Sequence, residues 1–437
     1  MIAPHVWPLT AAIQNNQLTI GGCRLADLAA AYGTPLYIFD EATIRSACRA
    51  YRHAFRPYTP PVQFSYAGKA LLNVPIARLI LAEGFGFDVV SLGEMQLALR
   101  AGAKPENLHL HGNAKPAFEL EQALAAGIGR IVVDNLDELH QLAALSRQMG
   151  VRQKIWCRIE PAVAAATHKK IQTGQKNSKF GLPLSQLDAF VAAVKAAPGL
   201  TLSGLHFHLG SQIFDTAVYL QAVQRMLDLM ARLRDEYQID VAEISPGGGL
   251  AAPYRPSDRA PAPDVLAGPL IDLLLSGCRQ RNLPLPALIL EPGRSITARS
   301  GVALYRVIST KPIAGHSDAA SRFLHVDGGM GDNLRPALYG AQYTAVLANR
   351  CQAEATETVH ISGRFCESGD LLVRDARLPQ AETGDLIALA TAGAYTLSMA
   401  NNYNMVPRPA VVLVNDGQAR LIQRRETFAD MVRRDII

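Results

Sequence analysis

The chain has 437 residues, of which 49% are hydrophobic and 19% charged, and its formal net charge is +5. This composition excludes a largely disordered chain and is long enough for two domains. The 43 lysines and arginines against 38 acids form no long basic run, so nucleic acid is not an expected partner.

Met1–Pro8 lacks a charged stretch followed by an apolar one, and no uncharged apolar run of about 18 residues occurs. The expectation is a cytoplasmic chain with no membrane span. Residues 11–38 carry a strand candidate and a short helix. From 62 to 293, short apolar runs alternate with longer amphipathic stretches. Strands are expected at 62–69, 85–91, 107–113, 130–135, 154–160, 203–210, 243–249 and 287–293. Helical patterns lie at 74–84, 94–102, 117–127, 136–150 and 184–197, several closing on glycine. Eight βα units predict a (β/α)8 TIM barrel, against the alternative of an open doubly wound sheet. Beyond residue 300 the pattern changes to strands at 302–308, 323–326, 358–361, 385–390 and 410–414, separated by Gly, Asp and Pro turns. That predicts a second, mostly β domain. The expected division is a barrel over 36–296 and a β-rich domain from 1–35 plus 297–437. Six scattered cysteines without a C-x-x-C pair predict neither a zinc site nor a disulfide framework, and suit a reducing compartment.

In a TIM barrel the chemistry gathers at the C-terminal ends of the strands. Those ends carry Lys69, Asp88, His111-Gly112-Asn113, His206, His208 with Ser211, Gly247-Gly248-Gly249, and Glu291-Pro292-Gly293-Arg294. A lysine amine forms a Schiff base with an aldehyde. Consecutive glycines let backbone N–H groups approach a phosphate, and an arginine can clamp it. A carboxylate keeps a pyridine nitrogen protonated, and an imidazole stacks on a flat ring. Singly, each residue has a plainer reading: a surface lysine, a turn, a core histidine, an ion-pair partner. On separate strand ends of one barrel they describe a site for pyridoxal 5'-phosphate. No metal is expected.

The stretches YAGKA (66–70), FDVVSLGE (87–94), HGNAK (111–115), TGQKNSKFG (173–181), HFHLGSQI (206–213), EPGRSI (291–296), RPALYG (335–340), CESGD (366–370) and AGAY (392–395) occur in this order. With them the chain resembles the fold-type III pyridoxal-phosphate decarboxylases, an alanine-racemase-like fold, and most closely the diaminopimelate decarboxylase family. The resemblance runs from Gly33 to Asn404. It implies that Lys69 carries the cofactor, that His208 stacks on its ring, and that Glu291 pairs with the ring nitrogen. Asp88 is implied among the cofactor contacts. Ser211, Gly247, Gly248, Gly249, Gly293 and Arg294 would form the phosphate cup, closed by Tyr395. Arg294, Arg335 and Tyr339 would hold the substrate's distal carboxylate, with Tyr395 also facing the substrate and Glu367 taking the distal ammonium. Cys366 would donate the proton that replaces carbon dioxide. In this family Cys366 and Glu367 reach the site from the partner subunit, so a homodimer with shared sites is implied.

The implied reaction converts meso-diaminopimelate to L-lysine and carbon dioxide. Two arginines and Glu367 suit a substrate end bearing both carboxylate and ammonium. The chain departs from the family pattern at Leu71, at Arg364-Phe365, at Ser245-Pro246 and at Gly331-Asp332-Asn333. A decarboxylase of ornithine, lysine, arginine or carboxynorspermidine on the same scaffold therefore stays open. A racemase would place an arginine where Glu291 stands. A non-catalytic binding or regulatory relative should have lost Lys69 or Cys366. Segment 167–181 is polar and is expected to be an active-site loop.

Overall fold

The structure, a computed structural model, describes residues 2–160, 178–314 and 320–436. Most of the expected loop at 167–181, from 167 to 177, lies outside the described residues. The chain divides into two units: 48–251 with 260–295, and 1–47 with 252–259 and 296–437. The expected barrel began at 36 and ran unbroken; here residues 36–47 and 252–259 belong to the second unit.

The first unit is the expected barrel. Strands Val62–Ala67, Gly86–Val89, Leu108–Leu110, Arg130–Val133, Gln153–Arg158, Leu200–His206, Glu243–Ser245 and Ala287–Leu290 close into one ring. All neighbours are parallel, and the last strand pairs with the first through Leu288 and Val62. A closed ring leaves no free edge and rules out the open doubly wound sheet. The connecting helices start where short polar side chains can satisfy free N–H groups. Asn73, Ser91 and Asn135 accept from the backbone of Ile76, Glu94 and Glu138. Three helices stop where Gly102, Gly127 and Gly150 take left-handed backbone angles. Val132, Trp156 and Ile289 form a core cluster. Beside it Glu243 accepts from Trp156 Nε1 at 2.7 Å and from Ser203 at 3.0 Å, and pairs with Arg130.

The second unit is mostly β. Its main sheet runs Leu371–Leu378, Glu357–Ser362, Arg322–Val326, Gly301–Pro312, Leu36–Asp40, Ala410–Asn415, Gln418–Gln423, with Leu386–Leu389 also paired to the long strand 301–312. Leu36–Asp40, expected in the barrel, instead pairs antiparallel with Gly301–Leu304 and parallel with Ala410–Val414. Its five residues are all buried, as a central strand requires. Three short strands over residues 12–24 form a separate antiparallel sheet. The unit's core gathers Trp7, Leu18, Ile20, Ile38, Leu304, Ala388 and Val412. Among the described residues no helix is long and apolar enough to cross a membrane.

Candidate active site

Lys69 lies two residues past the end of the first barrel strand, in a tight 3-10 turn over Gly68–Ala70. Gly293 makes the turn possible: a Cβ there would sit 3.0 Å from Ala67 Cβ and 3.1 Å from Ala70 Cβ. The Lys69 charge opposes the burial of Asp88 and Glu291 and depresses His208 further. These four side chains therefore share one electrostatic environment at the strand ends.

Glu291 is held on both carboxylate oxygens. Ser245 Oγ donates to Oε1 at 2.7 Å, and His206 Nε2 lies 3.1 Å from Oε2. His111 Nε2 stands 3.6 Å from Glu291 and 3.7 Å from Asp88, too far for a hydrogen bond. All five residues are almost fully buried. Burial pushes the Glu291 carboxyl up to about 7, against the opposing pull of the Ser245 hydrogen bond and the charges of Lys69 and Arg158. Burial likewise raises Asp88 to about 7. Burial and neighbouring cations hold His111, His206 and His208 well below the usual histidine range, so all three are neutral near pH 7.

Against the Glu291 backbone lies a cradle with few side chains. Gly247 (φ 71°) and Gly249 (φ 111°) adopt backbone angles that favour glycine. A Cβ on Gly248 would overlap the Glu291 carbonyl oxygen. The run is tied down by Gly247 N–H donating to Ser245 Oγ at 3.1 Å and by Tyr219 donating to the Gly248 carbonyl at 2.8 Å. Loop 208–213 packs on it, with Ile213 N–H donating to the Gly249 carbonyl at 3.0 Å. Arg294 donates from Nε and Nη2 to Ser211 Oγ at 3.0 and 2.9 Å, which directs a guanidinium and a hydroxyl to one place.

The fit to a phosphorylated pyridine aldehyde can be tested on these atoms. Asp88 Oδ1, His111 Nε2 and His206 Nδ1 are buried with no hydrogen-bond partner. Unpartnered buried polar atoms are costly unless a bound group meets them. Together with the side-chain-free glycine run, the Arg294–Ser211 pair and a strand-end lysine, they fit the cofactor.

The structure thus gathers Lys69, Asp88, His208, Ser211, Gly247, Gly248, Gly249, Glu291, Gly293 and Arg294 in the barrel unit. Sequence reasoning placed His111 and His206 at strand ends of the cofactor site without assigning either its own contact, and gave no role to Ser245. Ser245 entered only as a departure from the family pattern, yet it joins Glu291 to the glycine run. Its signal was position: it ends a barrel strand two residues before the glycines. From the expected loop, Gly181 N–H donates to Asp134 at 3.1 Å, and Arg158 lies 4.4 Å above the Phe180 ring.

The remaining expected residues belong to the second unit. Arg335 opens the short helix Arg335–Tyr339 and is 6% exposed. It donates to Tyr343 Oη at 2.7 Å and lies 4.5 Å above the Tyr254 ring, while its Nε has no partner. Burial would lower its pKa, but Tyr254, Tyr343 and Tyr395 raise it further, so it stays charged. Among the described residues no carboxylate pairs with it. Tyr395 has φ 58°, a left-handed conformation uncommon for tyrosine. Cys366 and Glu367 are exposed on a loop organised by Asp370, which accepts from Phe365 N–H at 2.8 Å and Met330 N–H at 2.7 Å.

Comparison with known proteins adds the lineage. Residues 41–298 match the family of pyridoxal-dependent decarboxylases over its pyridoxal binding domain. Diaminopimelate decarboxylase of Bacillus subtilis is 40% identical over 97% of this chain and 96% of its own. The crystal structure of diaminopimelate decarboxylase from M. jannaschii, in complex with L-lysine, superposes with a TM-score of 0.90 at 33% identity, covering 98% of both chains. The Helicobacter pylori enzyme, also complexed with L-lysine, gives a TM-score of 0.86 at 32% identity over 94% of this chain and 99% of that one. The chain belongs to the pyridoxal-dependent decarboxylases, within the family of the diaminopimelate decarboxylases.

Proposed function

We propose that the protein removes carbon dioxide from meso-2,6-diaminopimelate to give L-lysine, the last step of lysine biosynthesis, as a cytoplasmic homodimer with pyridoxal 5'-phosphate. None of its six cysteines is in a disulfide, which suits a reducing compartment. One observation carries the choice of substrate: Arg335, buried and charged, has no acid partner among the described residues. A buried cation of this kind needs an anion, and a substrate with a second carboxylate supplies one. Ornithine, lysine and arginine have no distal carboxylate.

Lys69, His208, the Gly247–Gly249 run, Ser211, Gly293 and Arg294 would hold the cofactor, with Tyr395 closing the phosphate end. When bound, the cofactor supplies an aldehyde for the substrate amine and a ring that accepts the electron pair of the breaking bond. Glu291 holds a proton at the ring nitrogen; Ser245 and His206 fix both of its oxygens for this. Asp88 and His111 sit beside that carboxylate as its polar neighbours. Lys69 exchanges a proton with the substrate amine as one amine replaces the other. Arg335, Arg294 and Tyr339 bind the distal carboxylate, and Glu367 binds the distal ammonium. Cys366 of the partner subunit delivers its Sγ proton to the α-carbon that has lost carbon dioxide.

The test is carbon dioxide release by the cofactor-loaded protein with meso-diaminopimelate, L-lysine, L-ornithine, L-arginine and carboxynorspermidine. Turnover of meso-diaminopimelate with L-lysine as product is expected. Preference for another member would sink the assignment of Arg335 and Glu367, and no release from any would sink the decarboxylase reading.

A further inference from the structure

We infer that Asn404, with Tyr403, is a positioning residue for the Cys366 thiol. This rests on the reading of Cys366 as the proton donor. The two side chains hold the Cys366 backbone from both sides: Asn404 Oδ1 accepts the Cys366 N–H at 2.9 Å, and Tyr403 Oη donates to the Cys366 carbonyl at 3.4 Å. The Tyr403 ring also stacks on Phe365, with centroids 6.0 Å apart and planes 11° apart. Asp370 fixes the preceding N–H, that of Phe365, at 2.8 Å. With these contacts made, the thiol is left mainly its own side-chain rotation.

The backbone of this clamp is itself informative. Asn404 (φ 52°, ψ 25°) and Met405 (φ 55°) are consecutive left-handed residues. Asparagine tolerates that conformation, but methionine does not do so readily. Glycine would close the same turn without strain. What glycine cannot supply is the carbonyl oxygen that meets Cys366. The strained turn is anchored on both flanks: Asn401 N–H donates to the Gly331 carbonyl at 2.8 Å, and Asn402 Nδ2 donates to Glu426 at 2.6 Å and to the Val406 carbonyl at 3.1 Å. The clamp is therefore built into the unit rather than hanging from it.

Proton delivery to one face of a carbon is sensitive to placement, and an error of about 1 Å can cost on the order of 10²-fold in rate. Two substitutions at one position separate the acceptor from the backbone strain. Asn404→Gly relieves the left-handed angle and removes the acceptor; Asn404→Asp keeps an oxygen there and tolerates the angle. In the holoenzyme, Asn404→Gly is expected to lower kcat about ten-fold or more, with KM, the cofactor absorbance and the thermal midpoint held. Alkylation of Cys366 by iodoacetamide should change rate in the same variant. Asn404→Asp should recover most of the kcat and return the alkylation rate toward wild type, which a merely structural role would not require. Wild-type kcat and alkylation rate in Asn404→Gly, beside a slow Cys366→Ala, would overturn the clamp while leaving Cys366 as donor; an Asp variant as slow as the Gly variant would also overturn it. A wild-type rate in Cys366→Ala would remove the donor reading itself, and with it the catalytic meaning of the clamp.

Discussion

Glu291 shows what burial does to one carboxylate and what its neighbours must then supply. Its ordinary value is 4.5, and in the fold it is pushed up to about 7 by burial. Below 4.5 it is protonated in both folded and unfolded chains and imposes no penalty. Between 4.5 and 7 the unfolded chain ionises first while the folded chain keeps the proton, so stability falls as pH rises. The full penalty, on the order of 3 kcal/mol for a shift of this size, is reached above about pH 7. The buried neutral histidines His111, His206 and His208 act with the opposite sign, because the unfolded chain protonates them first. We therefore predict a difference between two proteins: between pH 4.5 and 7, Glu291→Gln shifts the slope of apoprotein stability to urea against pH in the positive direction relative to wild type; an equal slope in both proteins would show that Glu291 does not contribute to it. Ser245 acts on the same group by donating to Oε1. Ser245→Ala leaves that oxygen without its donor and should weaken cofactor binding about ten-fold, by roughly 1.5 kcal/mol, the lower end for a hydrogen bond to a charged group, as read by absorbance titration. Arg335 is the opposite case, a cation whose worth lies in its ligand. Arg335→Met should raise KM for a dicarboxylate substrate by on the order of 10²-fold, because the anion loses its charged partner. Its thermal midpoint should not drop, because a buried unpaired charge is replaced by an apolar chain. A fall in midpoint with KM unchanged would make Arg335 a structural residue.

At the scale of elements, helix caps connect stability with the site. Asn135 caps helix Leu136–Met149 by accepting from Glu138 N–H at 2.9 Å, while its Nδ2 reaches the Asn113 carbonyl at 3.4 Å, next to the His111 loop. Asn135→Ala should cost about 1 kcal/mol in urea unfolding, and Asn135→Ser should recover most of it. The barrel was legible because each strand is a short apolar run closed by a polar or glycine-rich end, repeated eight times. The second unit was less so. Leu371–Leu378 pairs with 357–362 through two register shifts, and Asp375 sits at φ 53°, so its alternation is broken. Gln418–Gln423 is a largely exposed edge strand without an apolar run. Its signal was the preceding Asp416-Gly417, both at positive φ, the two-residue hairpin turn that pairs Asn415 with Gln418. Leu36–Asp40 reads plainly as a strand, but its partners lie more than 250 residues away, at 301–304 and 410–414, and no local pattern reveals them. The site followed the same division. Residues that carry chemistry at strand ends were readable by type, whereas Ser245, His111 and His206 matter through which atoms they meet, and that is fixed by the ring closure.

At the scale of the whole molecule, the two units carry different parts of the proposed reaction. Lys69, Glu291 and the glycine cradle belong to the barrel unit; Arg335, Cys366 and Glu367 belong to the β-rich unit. If Cys366 serves the partner's Lys69, no single chain contains a working pair, and the protein is active only as a dimer. Two inactive variants then complement each other. Lys69→Ala lacks the amine, and Cys366→Ala lacks the proton donor. In a homodimer of either variant both sites are defective. In a mixed dimer one site takes both defects, while the other combines an intact Lys69 with an intact Cys366. After full exchange of an equal mixture, half the dimers are mixed and each has one of its two sites intact. Activity should thus recover to roughly a quarter of wild type per chain, as closed two-fold symmetry with random pairing requires. Recovery should appear only after exchange and should follow the fraction of mixed dimers counted by differential tagging. Mixed dimers that remain as slow as their parents would place Lys69 and Cys366 of one chain in the same site and remove the shared arrangement.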